Sequence, residues 1–148
     1  MTDIHKHMNS IHGALFMVLP LKDGKGEAEL TAFMKDKVPA CFEAFKSVGT
    51  MQFFRVFMTD KPGQAVIAAD FDGTIDQFCA DYGKAVGSSF FAPLFEEFLA
   101  EVPPLPIEDN IAAFTEFVKK HDAGYAYNYS EFHSLTVKDL YEKFGNPY

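Results

Sequence analysis

Apolar positions follow two periodicities along this chain, which together predict a mixed α+β domain. Runs rich in β-branched and aromatic residues predict strands at 11–19, 51–59 and 64–71, and tyrosines that alternate with small or polar residues predict a fourth strand at 124–131. Apolar residues at every third or fourth position predict helices, in chain order at 30–48, 75–86, 93–102, 107–121 and 137–144.

Turn and cap residues mark where these elements begin and end. The sequence Asp60-Lys61-Pro62-Gly63 joins two of the predicted strands and is typical of a hairpin turn. Pro39 lies inside the first helical pattern and predicts a kink or a split there. Either Asp72 or Thr74 is suited to cap the helix that follows.

The order of elements predicts a ferredoxin-like βαββαβ fold with extra helices before its fourth strand. Residues 1–10 are expected to form a disordered tail, and residues 11–148 a single domain. Helices cover one face of such a sheet, yet both predicted faces are apolar here: Met51, Phe53 and Phe57 are expected on one face, and Phe54, Val56 and Met58 on the other. We therefore expect a second copy of the chain to cover the other face, in a symmetric homodimer.

Composition limits the classes of partner. The formal net charge of −8 and the lack of a basic cluster argue against binding to nucleic acids or anionic membranes. Without a long apolar run or a secretory signal, the expected location is the cytoplasm. Cys41 and Cys79 have no neighbouring metal-ligand pattern, so the sequence predicts two buried, reduced thiols and no metal site.

The segment Asp70-Phe71-Asp72-Gly73-Thr74 follows an apolar strand and resembles the first motif of the haloacid dehalogenase family. That resemblance implies a magnesium-dependent phosphatase, with Asp70 as the nucleophile and Asp72 as the general acid and base. The antiparallel hairpin predicted directly before Asp70, and the lack of the family's later motifs, favour a simple junction between a strand and a helix.

A second resemblance concerns 51–56 and the Phe71-Asp72-Gly73 turn one hairpin later. Together they resemble a little-characterised family within the dimeric α+β barrel superfamily, with Gln52 at a position where a histidine is expected. The resemblance implies a homodimer. The superfamily includes haem proteins, cofactor-independent oxygenases and isomerases, so neither the cofactor nor the presence of an enzymatic activity follows from it.

Arg55 is the most unusual candidate for a site, because it is a lone cation within an apolar strand. Either Asp70 or Asp72 pairs with it in a structural network, or it binds an anionic ligand. Tyr127, Tyr129 and His12 are further candidate ligand-binding residues.

Three functions fit these residues. The first is binding or conversion of a small apolar or aromatic ligand in a pocket between sheet and helices. The others are a non-catalytic structural or interaction dimer and the magnesium-dependent phosphatase.

Overall fold

The computed structural model describes residues 11–124 and 134–145. The predicted N-terminal tail lies outside these residues. The predicted fourth strand, apart from its first residue, lies outside them as well, and so do Tyr127 and Tyr129.

The described residues form a mixed α+β structure. Its elements are, in chain order, β1 (His12–Pro20), α1 (Glu27–Val48), β2 (Met51–Met58), β3 (Gln64–Asp72), α2 (Ile75–Val86), a π-helical turn (Gly87–Phe91), α3 (Ala92–Phe98), a 3₁₀ turn (Ile107–Asp109), α4 (Ile111–His121) and α5 (Val137–Phe144).

The sheet in the described part of the chain is antiparallel, with the strand order β1-β3-β2. The predicted hairpin between β2 and β3 is confirmed. A β-bulge lies between Met51, which is opposite Phe71, and Phe53, which is opposite Asp70. The additional residue turns Met51 towards the helices, so the prediction that Met51 and Phe53 share a face is wrong.

The core fills the space between one face of the sheet and the helices. Phe71, Phe95 and Phe114 are fully buried there. Burial of each such side chain contributes about 1.5–3 kcal/mol. The two cysteines, Cys41 and Cys79, are buried and form no disulfide, which confirms the prediction of two buried free thiols.

Three helix predictions need correction. Pro39 lies within the continuous helix α1, so of the two predicted alternatives the split is wrong and the kink stays a prediction. The helix predicted at 93–102 ends early, because Phe98 accepts a hydrogen bond from the Lys22 amide at 2.8 Å and Leu99 is extended. The helix predicted at 107–121 is two pieces, because the backbone of Asn110 leaves the helical conformation.

Thr74 is the residue that caps α2, since its hydroxyl accepts a hydrogen bond from the Gln77 amide at 3.2 Å. Asp72, the other predicted cap, bonds to a different helix. Among the described helices, none combines the length and the apolar character needed to cross a membrane.

Candidate functional site

One face of the sheet lies opposite the core, and we call it the open face. Strand register assigns these side chains to it: His12, Ala14, Phe16, Val18 and Pro20 from β1, Gln64, Val66, Ala68, Asp70 and Asp72 from β3, and Phe53, Arg55 and Phe57 from β2. Phe16, Phe53 and Phe57 are 37%, 39% and 38% exposed, respectively. The open face therefore presents aromatic surface beside the exposed Arg55, whereas His12, Ala14 and Val66 on the same face are buried.

Arg55 is exposed, and its guanidinium carbon lies 4.2 Å from the centre of the Phe53 ring. The sequence suggested a buried cation paired across the hairpin, but the register puts Ala68 opposite Arg55. Within 11–124 and 134–145, no carboxylate forms an ion pair with Arg55. The stacked guanidinium keeps its hydrogen-bond donors available.

Asp70 lies diagonally across the hairpin from Arg55 and is half-buried. Burial raises the pKa of this carboxyl above its ordinary value, while the charges of His12 and Arg55 act in the opposite direction. A carboxyl in this environment is more easily protonated than one in water.

Asp72, at the end of β3, has a structural role. Its Oδ1 accepts a hydrogen bond from Gln52 Nε2 at 2.7 Å, and its Oδ2 accepts one from the Val137 amide at 2.8 Å. Asp72 thus joins β2 to the N-terminus of α5. Gln52, which occupies the position where the resemblance led us to expect a histidine, orients this carboxylate.

His12 is buried beside the same carboxylate, with Nε2 3.7 Å from Asp72 Oδ1. Its Nε2 also lies 2.7 Å from the carbonyl oxygen of Leu135. A carbonyl oxygen only accepts hydrogen bonds, so Nε2 carries a proton and donates it. His12 therefore helps to hold the segment that leads into α5.

The segment 70–74, which resembles the phosphatase motif, lies in a different kind of sheet from the one that the resemblance implies. The strand that carries Asp70 and Asp72 lies between two antiparallel neighbours, whereas the family's fold requires a parallel sheet. Both oxygens of Asp72 accept hydrogen bonds from the protein. In the described segments no group of three or more acidic, histidine or cysteine side chains is placed to hold a metal ion.

A groove of about 580 Å³ lies between α1 and β2. Its apolar lining includes Leu30, Met34 and Val38 from α1 and Val56 and Met58 from β2. The sequence predicted a pocket between sheet and helices with Arg55 as its polar group, but Arg55 projects from the opposite side of the sheet. Sequence reasoning did not identify the residues that line this groove, because it assigned this side of α1 to the core.

Comparison with known proteins found no match: no protein-family model fits the chain, and no curated protein or solved structure is similar to it. The class that the fold and site define is a mixed α+β protein with an antiparallel sheet, in which α1 to α4 pack on one face and the other face carries exposed aromatic side chains and Arg55.

Proposed function

We propose that this protein is a ferredoxin-like domain that forms a homodimer through the open face and binds a small ligand there. The ligand has an apolar or aromatic body and an anionic group. One observation carries this proposal: three partly exposed phenylalanines share the open face with Arg55, which stacks on one of them, Phe53, and has no ion-pair partner in the described part of the chain.

The path of the chain after α4 supports the ferredoxin-like topology. That topology requires another strand at the outer edge of β1. The described chain reaches this edge. There the backbone of Asp122 forms an isolated antiparallel β-bridge with that of Met17, and the Ala123 amide donates a hydrogen bond to the Phe16 carbonyl oxygen at 2.8 Å. A strand continuing from there would complete the βαββαβ order.

The charges of the open face support a second copy as its cover. Arg55 and Asp70 lie on the same face, on neighbouring strands. In a two-fold symmetric contact each surface patch meets its own copy, so a patch with one charge of each sign can be self-complementary. Phe16 and Phe57, whose ring centres are 6.4 Å apart, supply the apolar area.

Arg55 and Asp70 also define the chemistry of the ligand. A guanidinium binds a carboxylate through two parallel hydrogen bonds, and the neighbouring aromatic rings offer surface for stacking. Burial raises the pKa of the neighbouring Asp70 carboxyl, so this group takes up a proton, and with it the ability to donate a hydrogen bond to the same anion, more easily than a carboxyl in water.

A panel of aromatic carboxylates and their uncharged amides tests the ligand proposal by thermal shift. We expect some carboxylates, but not the matching amides, to raise the melting temperature. Arg55→Gln should abolish the shift, while Lys84→Gln on the exposed surface of α2 serves as the matched control. Equal shifts in Arg55→Gln and the parent chain would remove Arg55 from the site.

The same panel separates the alternative functions. Stabilisation only by magnesium with a phosphate mimic would support the phosphatase. A dimer that no compound stabilises would support a purely structural role.

Molar mass in solution tests the dimer. We expect the mass of two chains, and Phe57→Glu should reduce it to one because it places two carboxylates in the contact. Phe42→Glu is the control, since Phe42 is 56% exposed on α1 and lies away from the open face. A monomeric parent chain would refute the proposed interface.

A further inference from the structure

The groove between α1 and β2 combines an apolar floor with the free edge of a strand. Its lining runs without a break from Val56 to Asp60, so it includes consecutive residues of β2 and the following turn. Successive side chains of a strand point to opposite faces. A surface lined by consecutive residues therefore exposes the strand's edge, including its backbone.

The hydrogen-bond register shows which backbone groups of β2 point into the groove. The Thr59 amide donates a hydrogen bond to the Gln64 carbonyl oxygen. The backbone amides and carbonyls of Thr59, and of every second residue before it, therefore point towards β3. The amides and carbonyls of Val56 and Met58 consequently point away from β3, towards the edge. β2 has only one neighbouring strand in the described part of the chain.

Charge distinguishes the two ends of the groove. Glu27 and Asp60 line it, and neither forms an ion pair with another described residue. Lys35 lies eight residues beyond Glu27 on α1, a distance of roughly 12 Å along the axis. The Glu27 end therefore attracts a cation, in a chain whose formal net charge is −8.

We propose that the groove binds an extended peptide segment of a partner protein, which adds to β2 as a further strand. The peptide's backbone bonds to the free groups of Val56 and Met58, and alternate apolar side chains contact Leu30 and Met34. A lysine or arginine of the peptide lies at the Glu27 end. A long apolar edge strand otherwise risks uncontrolled association, which this pairing prevents.

Selection from a displayed library of random ten-residue peptides on the full chain provides the probe. We expect enriched peptides to alternate apolar residues and to carry a basic residue at one end. The affinity of synthetic copies of these peptides is then measured by fluorescence anisotropy. Three proteins are compared: the parent chain, the groove variant Glu27→Gln/Asp60→Asn and the control Asp23→Asn/Glu116→Gln. Both control sites are exposed and lie outside the groove.

The groove variant should bind roughly two- to tenfold more weakly at low salt, with the difference lost at high salt, while the control binds like the parent. Two sets of peptides are compared, one with N-methyl groups on the odd-numbered amides and one with them on the even-numbered amides. One set should bind about tenfold more weakly and the other nearly as well as the parent peptide, because only one set of amides faces β2.

Three results would overturn the proposal. They are an absence of enriched peptides, equal binding by the groove variant and the parent, and equal effects of N-methylation in both registers. If two chains pair through β2, the peptide site is blocked. This pairing would appear as a dimer that Phe16→Glu, on the open face and outside the groove, leaves intact and that Val56→Pro dissociates. It would assign the edge to a second copy instead.

Discussion

The most direct test of the site's architecture is the replacement of Asp72 by alanine. The Asp72 side chain is only 10% exposed, and its two oxygens accept hydrogen bonds from Gln52 and from the Val137 amide at the start of α5. Alanine leaves both donors without this acceptor. It also removes a negative charge from the N-terminus of a helix, where such a charge is favourable.

The expected loss of stability is about 2–4 kcal/mol, since hydrogen bonds to a charged group contribute about 1.5–3 kcal/mol each and the two are not fully additive. Asp72→Asn should cost less, about 1 kcal/mol. Its carbonyl can still accept from the Val137 amide, and Gln52 can rotate its own amide to accept from the new NH₂ group. Only the charge is lost.

Urea unfolding gives the free energies, and amide hydrogen exchange at Val137 reports the helix start directly. Asp76→Ala is the control, because Asp76 is 68% exposed and its ion pair with Lys119 contributes at most about 1 kcal/mol. If Asp72→Ala is no more destabilising than Asp76→Ala, or if exchange at Val137 is unchanged, Asp72 does not anchor α5.

Three further predictions follow from close packing and burial. Gly13→Ala should lower the free energy of unfolding in urea by at least about 2 kcal/mol. The new methyl group would overlap the Phe71 ring and lie 2.6 Å from the carbonyl oxygen of Gly73. A variant as stable as the parent chain would contradict this geometry. Burial raises the pKa of Cys41 to about 11 and of Cys79 to about 12, so neither thiol should react with a disulfide reagent at pH 8 until urea unfolds the chain. Because the pKa of Asp70 is raised above 3.8, its ionisation costs free energy in the folded state. Asp70→Asn should therefore increase the melting temperature at pH 7 but not at pH 3, where both folded and unfolded chains carry a protonated carboxyl; an equal increase at both pH values would contradict this cause.

Much of the fold could be predicted from periodicity and turn chemistry. The hairpin between β2 and β3 followed from two apolar runs around a Pro-Gly turn, and Thr74 was one of the two residues predicted as the cap of α2. The final helix begins with Thr136 and Asp139 in a reciprocal capping arrangement that is also visible in the sequence. These signals are local, so a single sequence contains them.

The errors arose where distant contacts decide the structure. The bulge before Phe53 reverses the side of Met51, and no local signal marks it. The early end of α3 depends on the contact between Phe98 and the segment after β1.

The site was predicted in part for the same reason. Arg55 and Asp70 were named from residue type and do share the open face, but their diagonal offset and the stacking of Arg55 on Phe53 depend on register. The lining of the groove between α1 and β2 was not predicted, because periodicity identifies an apolar side of a helix without showing whether a neighbour covers it.

The link between Asp72 and the Val137 amide also has a consequence for the order of folding. The two residues are separated by 65 positions in the chain. Closing such a loop before other contacts exist is entropically unfavourable. The hairpin of β2 and β3 has short-range contacts and places Gln52 beside Asp72, so the acceptor is positioned before its distant donor arrives. Helix α5 is therefore expected to dock last during folding, onto a sheet that is already assembled.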